Sequence, residues 1–224
     1  MPRATAAELG SGSGIVSLLL AARQKIAVIT AAELQPSYAE LTARNVALNN
    51  LEGRVRPLCA DIRSLTANCT GGEVSLVVSN PPYMTCGTGK RNEKETNYLA
   101  RHEVCGTIAD FCAAAGRLLR HRGRFVSVWR PDRLPELFAA LRREGMEPKR
   151  MTFVHADAGS EPCMVLTEAV KGAAPSLRVT APLLLYLPCA PGERRRVLSP
   201  EAEQIYRTCS FPDERSVKKS QNNK

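Results

Sequence analysis

The sequence predicts an α/β protein with a doubly wound, mostly parallel sheet of seven strands. Short apolar runs typical of buried strands alternate along the chain with longer stretches in which apolar residues recur at helical spacing. A glycine-rich turn, residues 10–14, also lies between the first strand and the first helix, where doubly wound sheets bind ligands. With 224 residues the chain is long enough for one well-buried domain.

Each element follows from a local pattern. Pro36 can open the second helix, whose packed face we expect to include Tyr38, and Asn49-Asn50 can close it. Thr107 can cap the third helix, with Gly123 beyond its end, and Pro57 makes the third strand an edge strand because proline cannot donate to a central ladder. The expected strands are 4–7, 26–32, 55–59, 74–79, 125–129, about 149–154 and 163–169, and the expected helices are 15–22, 36–48, 108–119 and 133–144.

The glycine-rich turn does not have the spacing of a dinucleotide fingerprint. G-x-G-x-x-G would need a third glycine at position 15 or 17, where the chain has Ile15 and Ser17. The pattern present is an acid followed by alternating glycines, from Glu8 to Gly14. Glycines at such a turn let the backbone approach a ligand closely, although they also occur for packing alone.

Two further acids follow strands. Glu33, at the end of the second strand, lies where a carboxylate accepts hydrogen bonds from both hydroxyls of a ribose. Asp61 follows the third strand and could accept from the amino group of an adenine while Ile62 covers the ring. A helix-capping role for Asp61 is nearly as well supported by the sequence.

Asn80-Pro81-Pro82-Tyr83 follows the fourth strand directly. Neither proline has an N–H, so the turn is stiff and leaves backbone carbonyls as acceptors, to which Asn80 adds an amide oxygen. Two acceptors beside a tyrosine ring suit the NH2 group of a planar amide or a base. A simple proline-rich strand exit is the alternative, but the buried strand before the turn and the ring after it favour a functional site.

The formal charge is +9, and it is unevenly distributed. Residues 84–130, which include a long polar connection at 84–106, carry a net +5, and residues 171–224 carry another +5. This distribution favours a polyanion, a nucleic acid, held near the Asn-Pro-Pro-Tyr turn, and a solvated basic face is the alternative. The eight cysteines form no C-x-x-C pair, and no signal peptide or membrane span is evident, so we expect a cytoplasmic protein without a metal site or membrane contact. The sequence does not decide the oligomeric state, and a monomer is favoured.

Taken in order, these motifs resemble class I S-adenosylmethionine-dependent methyltransferases that methylate amino groups. Ala100-Arg101-His102-Glu103 and Arg130-Pro131-Asp132-Arg133-Leu134 add a resemblance to the tRNA1(Val) (adenine-37)-N6-methyltransferase family. The resemblance implies a Rossmann-like methyltransferase fold, S-adenosyl-L-methionine as cofactor and tRNA as partner. Members of that family carry a further N-terminal segment that is missing here, and Glu8 replaces their more usual Asp.

The resemblance also implies roles for particular residues. The expected catalytic residues are Asn80, Pro81, Pro82 and Tyr83; the expected cofactor-binding residues are Glu8, Gly10, Ser11, Gly12, Gly14, Glu33, Leu34, Asp61, Ile62 and Asn80; and the expected substrate-binding residues are Tyr83, Lys90, Arg91, Lys94, Arg101 and Arg130.

Other functions remain open at this point. A protein glutamine N5-methyltransferase or another nucleic-acid amino-methyltransferase would present the same NH2 group to the turn, and a noncatalytic RNA-binding module or an inactive truncated domain is the alternative of another class. We expect a methyltransferase domain at 1–170 and a basic C-terminal extension at 171–224, with its last ten or so residues disordered.

Overall fold

The computed structural model of the protein describes residues 4–81, 106–188 and 196–211. The strands of this part, numbered in chain order, are β1 (Thr5–Leu9), β2 (Val28–Glu33), β3 (Val55–Cys59), β4 (Val74–Ser79), β5 (Leu119–Trp129), β6 (Met146–His155), β7 (Pro162–Lys171), β8 (Arg178–Val179) and β9 (Leu183–Leu184). Its α-helices are α1 (Ile15–Ala22), α2 (Pro36–Leu48), α3 (Ile108–Leu118), α4 (Leu134–Arg143) and α5 (Pro200–Thr208).

All nine of these strands belong to one sheet, in the order β3-β2-β1-β4-β5-β7-β6-β8, with β9 paired to β6. Strands β1 to β5 pair in parallel, whereas β7 is antiparallel to both β5 and β6. The expected doubly wound, mostly parallel sheet is therefore confirmed, and β3, which contains Pro57, lies at its edge as expected.

Helices cover the two faces of the sheet in pairs. On one face, Leu18 and Ala21 of α1 and Val46 of α2 share a buried cluster with Ile29 of β2. On the other face, α3 and α4 pack on the central strands, where the largest buried side chains are Phe111, Leu118, Phe125, Trp129, Leu137 and Leu141. Burying one such side chain contributes about 1.5–3 kcal/mol, so these two clusters supply most of the stabilisation.

Three expectations about the elements were wrong. The sheet of the described residues has nine strands rather than seven, because β8 and β9 add two residues each to β6, too few to give a recognisable alternation. Strand β5 begins at Leu119 rather than at 125, and Gly123 lies within it, because Leu119 pairs with Val74 ahead of a register shift. Tyr38 is 44% exposed rather than packed.

The carboxyl ends of four parallel strands meet at one edge of the sheet. Leu9 pairs in register with Ala32 and with Ser79, and Glu33 pairs with Cys59. The Ser79 hydroxyl also donates a hydrogen bond to the Leu9 carbonyl at 2.8 Å. The residues that follow β1, β2, β3 and β4 are therefore brought to the same edge, where a doubly wound sheet binds its ligand.

The chain beyond residue 171 continues along this sheet. Ser199 caps α5 and its hydroxyl donates to the Leu184 carbonyl at 2.6 Å. Farther on, Lys25 Nζ donates to Ser210 Oγ at 2.5 Å, and the Arg150 guanidinium lies 5.6 Å from the centroid of the Phe211 ring. The division at residue 170 stays a prediction, and the segment expected to be disordered lies outside the described residues.

Candidate active site

A cavity of about 220 Å³ lies at the carboxyl edge of the sheet, where the loops after β1, β2, β3 and β4 meet. Helix α3 closes it from the side of the sheet on which α4 packs. The residues that line it are Gly10, Gly12, Glu33, Leu34, Gln35, Tyr38, Asp61, Ile62, Asn80 and Phe111.

The glycine-rich turn between β1 and α1 is held by its backbone. Gly10 and Ser11 both donate their N–H groups to the Ala32 carbonyl, at 2.9 and 3.0 Å, which fastens the turn to the end of β2. Gly14 has φ of +80°, and a Cβ there would lie 2.6 Å from Thr42 Cγ2 in α2. Only glycine fits this position, because side chains avoid this left-handed region and Thr42 fills the space.

Glu33 ties the turn to the start of α2. Its Oε2 accepts the Gly12 N–H at 2.8 Å and its Oε1 accepts the Gln35 N–H at 3.0 Å. The Thr42 hydroxyl then donates to the Gly12 carbonyl at 2.9 Å, so the N–H of Gly12 is held from β2 and its carbonyl from α2. Each carboxylate oxygen has a second lone pair, so Glu33 can still accept from a ligand.

Glu8 lies beneath the turn, and it is not among the residues that line the cavity. Its side chain is 3% exposed, and its Oε2 accepts both the N–H and the hydroxyl of Ser17, at 2.9 and 2.5 Å. Burial raises the pKa of Glu8 to about 7, against the two hydrogen bonds from Ser17 and with a smaller contribution from the charge of Glu33. Glu8 therefore anchors the first turn of α1 from below.

Asp61 has the capping role that the sequence left open, and its proposed contact with an adenine stays a prediction. It caps the short 3-10 helix Ile62–Ser64 by accepting the Arg63 N–H at 2.9 Å, and it also lines the cavity. The hydrogen bonds from the Arg63 guanidinium hold the pKa of Asp61 below its ordinary value, so this carboxylate is charged at neutral pH. Next to it, Ile62 is buried and forms an apolar wall of the cavity.

Asn80 and Pro81 begin the turn after β4. Asn80 lines the cavity together with Gly10, Gly12 and Glu33, whereas Pro81 is buried. Two of the four residues of this motif, Pro82 and Tyr83, lie outside the described residues, as do Lys90, Arg91, Lys94 and Arg101. The roles given to these six residues stay predictions.

Three cavity residues were not predicted from the sequence. Gln35 and Tyr38 lie just after Glu33, so their positions at the start of α2 could have indicated them. Phe111 comes from α3, far along the chain, and a Cβ on Gly10 would lie 3.4 Å from its Cε1 atom. The ring therefore lies against the glycine-rich turn, a contact between distant parts of the chain that no local pattern reveals.

The remaining predicted residues lie around the cavity or apart from it. Ser11 and Gly14 belong to the turn but do not line the cavity. Arg130 follows β5 and lines a second cavity, and its guanidinium forms a bidentate pair with Asp132 at 3.0 and 2.9 Å. In the described part of the chain, no helix is both long and apolar enough to cross a membrane.

The doubly wound sheet and the cavity at its switch point define a class of α/β proteins that bind ligands between a glycine-rich turn and a neighbouring strand. Within that class, the chain belongs to the methyltransferase small domain family, whose sequence model matches residues 2–135.

Similar solved structures agree with this fold. A predicted O-methyltransferase from Agrobacterium tumefaciens superposes with a TM-score of 0.72 at 21% identity, over 93% of this chain and 91% of that one. A methyltransferase from Pyrococcus furiosus has a TM-score of 0.50 at 16% identity, over 77% of both chains. At these identities the likeness concerns the fold alone.

Curated relatives are more similar in sequence. A tRNA1(Val) (adenine(37)-N6)-methyltransferase of Phocaeicola vulgatus is 31% identical over 163 residues, which are 71% of this chain and 65% of the relative. Another protein of that name, from Cronobacter sakazakii, is 32% identical over 165 residues, which are 71% of this chain and 64% of the relative. The chain therefore spans just under two thirds of the length of these relatives.

Proposed function

We propose that this protein transfers a methyl group from S-adenosyl-L-methionine to the exocyclic N6 of an adenine in tRNA. The observation that carries the proposal is the shared cavity, in which Asn80 lies with Gly10, Gly12 and Glu33. The names of the curated relatives support tRNA as the substrate and, at finer detail, adenine 37 of tRNA1(Val) as the target.

The residues of the cavity fit the nucleoside part of this cofactor. Glu33 can accept from the ribose hydroxyls, Asp61 can accept from an adenine amino group, and Leu34, Ile62 and Phe111 offer apolar surface to the ring. The cavity, at about 220 Å³, is smaller than most pockets that enclose a whole ligand, which measure about 300–1,000 Å³. It therefore has room for only part of the cofactor.

In this proposal the protein positions the acceptor nitrogen and needs no general base. When bound, S-adenosyl-L-methionine supplies an activated, electrophilic methyl group. Asn80 Oδ1 and the Pro81 carbonyl accept hydrogen bonds from the N6 amino group and direct its lone pair towards that methyl. Tyr83 stacks on a base extruded from its loop, and a single-stranded loop makes extrusion less costly. Placement supplies most of the rate acceleration.

The charge of the chain fits an RNA substrate. Residues 84–130, with their net charge of +5, directly follow the turn Asn80-Pro81-Pro82-Tyr83. This segment contains Lys90, Arg91, Lys94 and Arg101. We propose that these residues contact the phosphates of the tRNA.

Mass spectrometry of tRNA after incubation with the protein and S-adenosyl-L-methionine tests the proposal. We expect N6-methyladenosine at one position of the anticodon loop. Labelled methyl transferred to a release-factor-like protein and not to tRNA would instead indicate a protein glutamine methyltransferase. Calorimetry with the cofactor tests the alternative of another class, because no binding at millimolar concentration would indicate an inactive domain.

A further inference from the structure

A second cavity, of about 580 Å³, lies at the carboxyl end of β5, and no role has been assigned to it as a whole. Two short segments form it: one follows β5, and the other leads into β7, which pairs with β5 in antiparallel fashion. It is lined by Arg130, Pro131, Asp132, Glu161, Pro162 and Cys163. Its lining shares no described residue with that of the cavity that contains Glu33.

The topology places this cavity on the side of β4 that faces away from the glycine-rich turn. We call it the acceptor side, because the group that is methylated would approach Asn80 from there. Ser79 pairs in register with Ser127, so Asn80 and Arg130 leave neighbouring parallel strands at the same edge of the sheet. The glycine-rich turn and Glu33 lie on the other side of β4, after β1 and β2. A substrate whose reacting group meets Asn80 therefore has its adjoining part next to the second cavity.

The charges of the residues that line the cavity do not favour a phosphate. Its lining holds one arginine and two carboxylates, and the guanidinium of Arg130 is already engaged by Asp132 through two hydrogen bonds. Glu161 is exposed, and no cation pairs with it among the described residues. Carboxylates that project into a cavity accept hydrogen bonds and attract groups that donate them, such as the amino group of a cytosine or a purine.

The walls of the cavity also suit a flat ring. Pro131 and Pro162 are rigid and apolar, and they lie in the two segments that form it. The Cys163 thiol donates to the Val154 carbonyl, with its Sγ 3.3 Å from that oxygen. Cys163 therefore adds no strong polar group to the cavity. A planar base with a donor edge matches both the rigid walls and the carboxylates.

We propose that this cavity binds a second nucleobase of the RNA substrate, next to the methylated adenine, and that Glu161 and Asp132 accept hydrogen bonds from its exocyclic amino group. The proposal rests on the proposed function and goes beyond it, because it makes the methyl transfer depend on the sequence around the target. Arg130 then acts by orienting Asp132 rather than by contacting a phosphate.

The test uses anticodon stem-loop RNAs that keep the target adenine. At each other loop position the nucleotide is replaced, one at a time, by a counterpart that lacks the amino group, for example inosine for guanosine. KM and kcat for methyl transfer are measured with the wild-type protein, Glu161→Met and Asp132→Leu, which remove the acceptor oxygens as well as the charge. Glu168→Met is the matched control, because Glu168 lies on β7, the strand that directly follows Glu161, and outside the cavity.

We expect one loop position at which loss of the amino group raises the wild-type KM about tenfold, the effect of losing one good base contact. Glu161→Met should raise KM for the unmodified RNA by a similar factor and should show no further rise when the amino group is absent. Asp132→Leu should behave in the same way. In both variants kcat should change less than about twofold, and the cofactor dissociation constant should match the wild type. The Glu168→Met control should match the wild type in all of these quantities.

A decrease in KM in the two variants, rather than an increase, would overturn the inference. If the cavity only runs along the phosphate backbone, removing a negative charge should lower KM for every RNA alike. An unchanged KM in both variants would also overturn it, while methylation by the wild type would leave the proposed function intact. If the wild type methylates none of the RNAs, or methylates a glutamine-containing protein instead, both the proposed function and this inference are wrong.

Discussion

Among single residues, Asn80 gives the most direct test of the proposed reaction, because it lines the same cavity as Glu33 and is the residue proposed to hold the amino group that is methylated. Asn80→Ala should leave the S-adenosyl-L-methionine dissociation constant within a few-fold and reduce the methyl transfer rate by about a hundredfold or more, since it removes a positioned hydrogen-bond partner. Asn80→Asp, which keeps an acceptor oxygen, should retain more activity. Calorimetry and single-turnover kinetics measure the two effects, and full turnover by Asn80→Ala would contradict the role.

Glu8 makes stability depend on pH. Burial raises its pKa in the folded protein from 4.5 to about 7, so the folded state binds more protons than the unfolded state between these values. This stabilisation is fully present below about pH 4.5 and is lost as the pH rises through about 7, at a rate approaching 1.4 kcal/mol per pH unit. Glu8→Gln should remove this loss while still accepting hydrogen bonds from Ser17.

Urea unfolding between about pH 5 and about pH 8 measures this effect. The free energy of unfolding of Glu8→Gln, relative to the wild type, should increase with pH through that interval. Glu52→Gln, at an exposed site, serves as the control and should follow the wild type. Parallel curves for Glu8→Gln and the wild type would show that the folded protein does not hold the proton on Glu8.

Gly14 tests the geometry of the turn. Gly14→Ala places a Cβ 2.6 Å from Thr42 Cγ2 at a φ of +80°, so it should lower the free energy of unfolding by about 2–4 kcal/mol. Gly53→Ala is the matched control, because a Cβ there meets no atom within 4 Å, and its effect should stay within about 0.5 kcal/mol. Combining Gly14→Ala with Thr42→Ser should recover part of the loss, and equal stability of the two glycine variants would contradict the account.

Among the elements, α3 supports the cavity indirectly through the turn after β3. Arg117 of α3 donates to the carbonyls of Leu65, Ile62 and Arg63, at 3.1, 2.9 and 3.1 Å. Arg117→Met leaves these carbonyls without their donor, so it should lower the free energy of unfolding by about 1–3 kcal/mol. Because Ile62 lines the cavity, it should also weaken cofactor binding.

Thermal or urea unfolding, together with calorimetry, tests this expectation. Arg120→Met is the matched control, because Arg120 is exposed and its side chain forms no ion pair or hydrogen bond with the described residues. The control should change neither stability nor cofactor affinity measurably. A normal cofactor affinity in a destabilised Arg117→Met protein would mean that the turn at Ile62 does not depend on α3.

The elements also show what a sequence can predict. Helices α1 and α2 were predicted to within a residue, because a glycine turn, Pro36 and Asn49-Asn50 mark their ends. The first residues of β5 were missed, since Arg120-His121-Arg122 carries no strand alternation and is held by pairing across a register shift. Similarly, Tyr38 was assigned to a packed face because helical spacing alone does not show which face meets the sheet.

For the whole molecule, the order of the motifs was more informative than any one of them. A glycine turn after the first strand and Asn80 after the fourth meet in a doubly wound sheet because β1 and β4 are neighbours, and both line the same cavity. The contribution of Phe111 and the existence of the cavity beside Arg130 could not be predicted, because they depend on the packing of α3 and on the antiparallel pairing of β7.

The charge of the whole molecule leads to a prediction for tRNA binding. With a formal charge of +9, much of it in residues 84–130 and 171–224, binding should weaken by about a thousandfold between about 50 and about 200 mM salt if about six phosphates are contacted. Arg196 is the last residue of the run Arg194-Arg195-Arg196, and it contacts an aromatic ring. Its guanidinium lies 5.3 Å from the centroid of the Tyr186 ring.

Replacing the three arginines of this run by glutamine should reduce the slope of log affinity against log salt by about 2, since each phosphate contact contributes about 0.7–0.9. Arg44→Gln on α2 is the control, and its slope should be that of the wild type, because α2 packs at the β2–β3 side of the sheet, away from the acceptor side. Fluorescence anisotropy of labelled tRNA across a salt series measures both slopes. An unchanged slope in the triple variant would mean that the C-terminal charge does not contact RNA and that the basic residues of 84–130 account for the binding.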